Sequence, residues 1–237
     1  MGAVYALSLR QLTGRWRLLI MTVLASLPVL VTLVALRSSS APGIAEFETL
    51  VFSAMYAGSI IPLVVLAISS AAFADELEDR TLANLTLASI PRWQIVVPKL
   101  LAAMTLALPF VTVSAFITGQ LAFLGDTTAT LAVTVSALAA VALYAAAFVF
   151  LGLVSTHAIG VGLVYIVLWE GFFSGFVSGV RTLSIRHHTI ALMHGLDPRR
   201  FAAGDHMSLG LVVATSTLAF LAFLFLTVRR LRRMDIP

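Results

Sequence analysis

Six continuous apolar runs divide this sequence, and they constrain its fold more than any other feature. Lipid offers no hydrogen-bond partner to the backbone, so a helix that crosses the hydrocarbon core needs about 20 apolar residues. The runs are continuous and show no alternation of the kind a barrel strand needs, so they predict an all-α integral membrane protein. The predicted transmembrane helices, in one domain of residues 1–237, cover residues 18–36, 50–74, 100–124, 129–154, 158–180 and 208–228.

The composition excludes an ordinary soluble domain. Of the 237 residues, 60% are hydrophobic and only 11% are charged, against about 25% charged residues in soluble domains. The chain has no cysteine, so disulfides, thiolate metal sites and cysteine nucleophiles are excluded. Its net charge of +4 comes from basic residues at the ends of the apolar runs. Such a placement predicts membrane topology and no nucleic-acid partner.

The basic residues also orient the helices, because cytoplasmic connections carry an excess of Lys and Arg. With the N-terminus inside, ten basic residues lie in the cytoplasm and five lie outside. The inner ten are Arg10, Arg15, Arg17, Arg80, Arg92, Lys99, Arg229, Arg230, Arg232 and Arg233. We therefore expect both termini in the cytoplasm and a location in the cytoplasmic membrane of a prokaryote.

A short amphipathic segment precedes the first apolar run. Its apolar face is formed, at helical spacing, by Tyr5, Leu9, Leu12 and Trp16, while Arg10, Gly14 and Arg17 fall opposite. A helix of this kind lies along the lipid headgroups. The pattern predicts an N-terminal interfacial helix that serves either as a simple anchor or as a docking site for a partner.

The connection between the second and third runs has its own helix signals. Asp75 is suited to cap a helix, Glu78 stands three residues later, and acidic residues in a first turn complement the helix dipole. Pro91 disfavours helical geometry at Ile90, so the helix ends near that point. A second helix is predicted to begin around Arg92.

The same connection carries a recognisable order of residues. Acidic residues are followed by Thr-Leu, further leucines, a proline and a basic turn, and a lysine opens the third run: Glu76, Glu78, Thr81, Leu82, Leu85, Leu87, Pro91, Arg92, Trp93 and Lys99. This order resembles the cytoplasmic loop of type-two ABC exporter permeases. Arg80 stands where that family usually has Gly, Ala83 where it has Glu, and Pro91 comes two positions late.

The resemblance implies a function and a set of partners. In that family the loop is a coupling helix that inserts into a nucleotide-binding subunit and passes its movement to the spans. The chain is then expected to be the permease subunit of an ATP-driven exporter, paired with a second copy or a related permease beside two ATPases. The residues expected to contact the ATPase are Glu76, Glu78, Arg80, Thr81, Leu82, Leu85 and Arg92.

The chain lacks the sequence of an ATP site of its own. A P-loop needs Gly-x-x-x-x-Gly-Lys-Ser/Thr, yet Lys99 is the only lysine and follows Pro98 without a glycine cradle. We therefore expect no enzymatic activity in this chain and no bound cofactor or metal, with ATP and Mg²⁺ held by the partner subunit.

Two other interpretations of the connection stay open. In the first, it is a solvated loop that merely links two spans. In the second, Asp75, Glu78 and Asp79 share a helix face and hold a divalent cation. Two other classes of function also stay open for the whole chain: a non-transporting scaffold or immunity-type membrane protein, and a membrane-embedded enzyme. An enzyme needs convergent polar residues at one depth, and the spans contain few of them.

Glu170 is an acidic residue inside the fifth predicted span, where a charge costs about 3 kcal/mol at the bilayer centre. The glycines Gly171, Gly175 and Gly179 follow at four-residue spacing and predict a face for close helix packing. If the glycines break the span, Glu170 caps or hydrogen-bonds exposed backbone. Otherwise it contacts a substrate, a proton or lipid headgroups along the translocation path.

Four histidines follow in the last outer segment, at His187, His188, His194 and His206. By the same resemblance, residues 181–207 form an interfacial, re-entrant segment. Imidazoles are common zinc ligands, so a metal site is one interpretation. The other, which we favour, places amphipathic imidazoles at the level of the headgroups without a metal.

Overall fold

A computed structural model describes residues 1–37, 44–78, 91–173, 184–201 and 208–234, and every element in these ranges is helical. The elements in chain order are α1 (Gly2–Leu12), α2 (Arg15–Arg37), α3 (Ile44–Phe47), π1 (Glu48–Ile60), α4 (Ile61–Ser69), α5 (Ala71–Glu78), α6 (Trp93–Ala122), α7 (Thr127–Val154), α8 (Ala158–Val164), π2 (Tyr165–Phe173), α9 (Ile185–Leu196) and α10 (Leu209–Arg233). The all-helical class predicted from the sequence is confirmed for this part of the chain.

Within the described ranges, five helical stretches are long and apolar enough to cross a membrane, which makes the chain a multi-pass membrane protein by length and composition. They are Arg15–Arg37, Glu48–Glu78, Trp93–Ala122, Thr127–Val154 and Leu209–Arg233. The remaining predicted span, residues 158–180, begins as the shorter apolar helix Ala158–Phe172. Residues 174–180 lie outside the described ranges, so the sixth span stays a prediction.

Local sequence explains where α7 begins. Asp126 caps α7 because its side chain accepts hydrogen bonds from the backbone N–H groups of Thr128 and Ala129, at 3.1 and 3.3 Å. The turn before it places Leu124 and Gly125 at positive φ, 52° and 85°. A side chain is strained in that conformation, which suits the glycine.

The second span is composite. Its first part, π1, is wound more widely than an α-helix, because the backbone N–H of Ile61 bonds to the carbonyl of Tyr56 five residues earlier. Pro62 stands at the start of α4 and has no N–H to contribute. The span then passes through Ser70 into α5, so it contains two changes of winding that the hydropathy pattern does not indicate.

The N-terminal helix α1 packs against α6, where the Tyr5 hydroxyl donates to Thr105 Oγ1 at 3.1 Å. The predicted apolar face does not continue to Trp16. The chain breaks after Leu12, and Trp16 lies in α2 with 68% of its surface exposed. The expectation of one continuous face through Trp16 is therefore wrong, because a helix break resets the register of all later side chains.

Helix α7 is the centre of the bundle. It packs against α4, α5, α6, α9 and α10, and its side chains are buried on nearly every side. Helices α2 and α10 instead direct most of their large apolar side chains outward. Outward apolar faces on a membrane-spanning chain are the surfaces that contact lipid or another membrane helix.

Close approach of α7 to the second span requires a glycine. A Cβ atom at Gly152 would lie 2.1 Å from the backbone oxygen of Ser70. Backbone cannot rotate away as a side chain can, so any larger residue forces the two helices apart. By contrast, a Cβ at Gly160 in α8 meets no atom within 4 Å.

We predict that Gly152→Ala destabilises the folded chain by about 1–3 kcal/mol, the usual cost of overpacking a tight contact. Gly160→Ala is the matched control, and it should be neutral or stabilising by up to about 1 kcal/mol because alanine favours the helix. Thermal unfolding in detergent, followed by the loss of the monodisperse chromatographic peak, compares the two. Equal midpoints for both variants would contradict the packing assignment.

Candidate functional site

A buried ion pair joins α5 to α6 at the end of the bundle predicted to be cytoplasmic. Lys99 lies two turns into α6, and its Nζ is 2.6 Å from Oε1 of Glu76 in α5. Only 1% of Lys99 is exposed. Charges are expensive to bury unless they are paired, so this contact fixes the position of one helix against the other.

The rest of the Lys99 ammonium group is also in contact with α5. Nζ donates a second hydrogen bond to the carbonyl of Ala72 at 2.5 Å and lies 4.7 Å from the ring centroid of Phe73. One lysine therefore contacts a carboxylate, a carbonyl and an aromatic ring on the same helix. On the other side of the pair, Oε2 of Glu76 is buried and has no hydrogen-bond partner in the described ranges.

A second, more exposed ion pair extends this contact toward the N-terminus. Nη2 of Arg17 lies 2.9 Å from Oδ2 of Asp75, one residue before Glu76, and Nη1 donates to the carbonyl of Gln11 at 3.4 Å. About a third of each side chain of the ion pair is exposed, so the pair contributes little stability, on the order of 0–1 kcal/mol. Its effect is geometric, because it ties the junction of α1 and α2 to α5.

The predicted ATPase-contact residues fall partly at this cluster. Glu76 is buried in the ion pair, Glu78 is exposed at the last turn of α5, and Arg92 is half-buried at the start of α6. The remaining predicted contacts, Arg80, Thr81, Leu82 and Leu85, lie outside the described ranges. The cluster therefore forms the base of the predicted coupling loop, where the chain leaves α5 and enters α6.

No group of three or more His, Asp or Glu side chains that could hold a metal ion forms in the part of the chain that the structure describes, and Asp79 of the predicted cation site lies outside that part. Asp75 is engaged by Arg17, and Glu76 by Lys99. From the sequence, Lys99 opens the third run, counts among the inner basic residues and excludes a P-loop, and no partner is predicted for it. Apolar residues flank Lys99 on both sides, at 95–98 before it and in the third run after it, and a charge in such surroundings needs a partner.

A second polar cluster surrounds Glu170 at the opposite end of the bundle. Its carboxylate accepts hydrogen bonds from the Tyr165 hydroxyl at 2.8 Å and the Ser184 hydroxyl at 2.5 Å. It also accepts from the backbone N–H groups of Ile185 at 3.0 Å and Arg186 at 3.4 Å. Glu170 is fully buried, so these donors replace the water that a carboxylate would otherwise bind.

This arrangement begins helix α9. The first N–H groups of a helix have no partner inside the helix, and a carboxylate there also complements the helix dipole. Ser184 takes the capping position and accepts from the N–H of His187 at 3.1 Å. The Arg186 guanidinium then donates to the Glu170 carbonyl at 3.4 Å and to Ser53 of π1 at 3.1 Å. Glu170 thus joins π2, α9 and π1.

The glycines predicted for helix packing are only partly described. Gly171 lies on an exposed face of π2, where the nearest atom to an added Cβ is the carbonyl of Ile166 in the same helical segment, at 3.6 Å. Gly175 and Gly179 lie outside the described ranges. The packing role of the three glycines and the substrate-path role of Glu170 stay predictions.

Two of the outer histidines are used in contacts between helices. Nε2 of His194 lies 2.5 Å from Oε1 of Glu48 at the start of π1. The two ring nitrogens of His188 contact the carbonyl of Ser184 at 2.8 Å and Thr215 Oγ1 of α10 at 3.0 Å. Together these contacts hold α9 against both the second and the last span. No group of three or more metal ligands forms within the described ranges. His206 lies outside those ranges.

In comparisons with known proteins, no protein-family model matches the chain and no curated protein matches its sequence.

We predict that Lys99→Met destabilises the chain by about 3–5 kcal/mol, because it leaves the Glu76 carboxylate buried without its cation. The double variant with Glu76→Leu removes both charges and should recover most of that loss. The control Asp75→Asn, which breaks the exposed pair with Arg17, should cost at most about 1 kcal/mol. Thermal unfolding in detergent measures all three. A single Lys99→Met variant no less stable than the control would contradict the assignment.

We also predict that Glu170→Gln loosens the start of α9, since an amide nitrogen cannot accept a hydrogen bond from a neighbouring donor. Each unsatisfied buried donor costs about 1–3 kcal/mol, so hydrogen exchange at Ile185 and Arg186 should accelerate about tenfold or more. The backbone amides of Thr128 and Ala129, which Asp126 caps, are the internal control. Unchanged exchange at the start of α9 would show that the carboxylate does not hold it.

Proposed function

We propose that this chain is the membrane-spanning permease subunit of an ATP-driven exporter of the type-two ABC kind. The observation that carries the proposal is the buried Glu76–Lys99 pair at the base of the predicted coupling loop. The loop between them contains the residues that resemble an ATPase-contact helix. Residues 75–91 receive the movement of a separate ATPase, and the spans transmit it.

Any displacement of the loop reaches the spans through the two helices that flank it, α5 and α6. A loop whose two stems move independently absorbs a displacement, whereas stems locked together pass it on as a rigid-body movement. The Glu76–Lys99 pair locks α5 to α6, and the Arg17–Asp75 pair adds the start of α2. A displacement of the loop would therefore move the inner ends of three spans together.

The same second span also connects to the opposite end of the bundle. Its first part, π1, contacts α9 through Ser53 and Glu48, which bond to Arg186 and His194. Movement of α5 along this span would therefore be transmitted through π1 to α9. Alternating access needs such a link, because one end must close as the other opens.

The proposal assigns the chemistry of ATP to a partner. ATP and Mg²⁺ bind the nucleotide-binding subunit, and this chain carries neither. A second copy of the chain, or a related permease, completes the path across the cytoplasmic membrane, with both termini in the cytoplasm. The apolar side chains that α2 and π2 direct outward, such as Val34 and Val167, are surfaces on which a second copy or lipid packs.

The test is affinity purification of the full chain from its native membrane in mild detergent, followed by identification of stoichiometric partners and an ATPase assay. We predict recovery of a nucleotide-binding subunit, which is lost when Leu82→Ala and Leu85→Ala remove the apolar contacts of the loop. Loss of two buried leucines from an interface costs several kcal/mol, which corresponds to at least about a hundredfold weaker association.

The matched control is Leu101→Ala with Leu131→Ala, two leucines that α6 and α7 direct outward, 48% and 54% exposed. These changes should leave both association and ATP hydrolysis intact. A chain that purifies without an ATPase, or whose ATPase is retained after both loop leucines are replaced, would sink the proposal. It would then favour a scaffold or a membrane-embedded enzyme.

A further inference from the structure

A cavity of about 530 Å³ lies between α7, π2, α9 and α10, beside the Glu170 cluster, whose Tyr165 and Ile185 form part of its lining. Its lining is mostly apolar, with side chains such as Leu143, Ile185 and Phe223. Cavities of roughly 300–1,000 Å³ with apolar walls and a few polar groups are typical small-molecule sites.

The walls of the cavity are held in place by contacts already described. Glu170 fixes the start of α9, and the His194–Glu48 pair fixes its end. His188, itself in the lining, joins α9 to α10 through Thr215. Gly195 at the end of α9 meets Leu209 so closely that an added Cβ would lie 2.8 Å from it. The cavity is therefore preformed, which lowers the entropic cost of binding.

The cavity opens toward the lipid-facing side of the bundle. Leu218 belongs to its lining, yet 69% of that side chain is exposed. Leu168, which precedes the lining residue Trp169 in the sequence, and Leu221, three residues after Leu218 in α10, are also exposed apolar residues. In a membrane-spanning chain such a mouth is flanked by hydrocarbon, so a ligand enters sideways from the bilayer.

The polar groups of the lining favour one kind of head group. Tyr165 already donates to Glu170, and His188 already contacts Ser184 and Thr215. Trp169 and Ser216 also line the cavity, and neither has a hydrogen bond within the described ranges. An indole N–H only donates, and a hydroxyl can donate, so Trp169 and Ser216 together suit a ligand with an acceptor oxygen.

The polar and apolar parts of the cavity are separated along α10. Ser216 lies seven residues from Phe223, about 10 Å along the helix axis. A ligand with an oxygen-bearing head at one end and a hydrocarbon body at the other matches this division. The remaining length of a chain can continue through the mouth into the bilayer.

We propose that this cavity binds a single-chain fatty acid from the membrane, with its carboxyl oxygens at Trp169 and Ser216 and its chain along α10. The inference rests on the cavity alone and holds whether or not the chain is an exporter subunit. It assigns a specific amphiphile site on the lipid-facing side of the bundle.

The protein contains three tryptophans, which makes a direct test possible. The variant Trp16→Phe/Trp93→Phe leaves Trp169 as the one reporter in the full chain, reconstituted in phosphatidylcholine nanodiscs. Dibrominated stearic acid quenches tryptophan only at short range. We expect saturable quenching at a low mole fraction of the fatty acid, reversed by excess unbrominated stearic acid.

A second reporter separates binding from simple partitioning. The variant Trp93→Phe/Trp169→Phe keeps only Trp16, which is 68% exposed and far along the chain from the cavity. Its quenching should rise in proportion to the fatty acid without saturation. If Trp169 behaves in the same unsaturable way, or is quenched equally by dibrominated phosphatidylcholine and not protected by stearic acid, the proposal is overturned.

Blocking the cavity gives the decisive comparison. In the Trp169 background, Ala219→Phe places a ring in the lining, whereas Ala214→Phe places the same ring on the exposed face of the same helix. We expect the first to weaken saturable binding by about tenfold or more and the second to leave it unchanged. Equal affinity in the two variants, each still monodisperse with unchanged Trp169 emission, would also overturn the proposal.

Discussion

The buried ion pair between Glu76 and Lys99 governs how one end of the helix bundle is assembled. An unpaired charge in the low-dielectric interior costs several kcal/mol, so neither side chain can be buried without the other. Their contact therefore fixes the last turn of α5 against the second turn of α6. The junction of α1 and α2 joins the same point through Arg17 and Asp75, and the proposed transmission of movement depends on that assembly.

The opposite end follows the same rule with different chemistry. Glu170 is buried, and its charge is satisfied by hydroxyl and backbone donors at the start of α9. Because α9 is anchored there, and again where His194 contacts Glu48, the wall it forms against α10 is fixed. The two polar clusters thus stabilise the two ends, while the cavity between α9 and α10 lies beside the Glu170 cluster.

Particular residues show how far sequence reasoning extended into the candidate site. Glu170 was identified as exceptional because a carboxylate inside an apolar run is costly, and its possible role in holding exposed backbone followed from the nearby glycines. No partner is predicted for Lys99 from the sequence, although a lone lysine with apolar residues on both sides carries the same signal. The pairing of His194 with Glu48 had no signal at all, since 146 residues separate the two.

The sequence by itself determined the all-helical membrane class and the positions of the long spans, because backbone in lipid must satisfy its own hydrogen bonds. It also indicated which charged side chains needed partners. The tertiary structure alone decided which partners those were, where the second span changes its winding, and where a cavity remains beside α10. Such features depend on the approach of helices that are distant in sequence, and hydropathy within one helix carries no record of its neighbours.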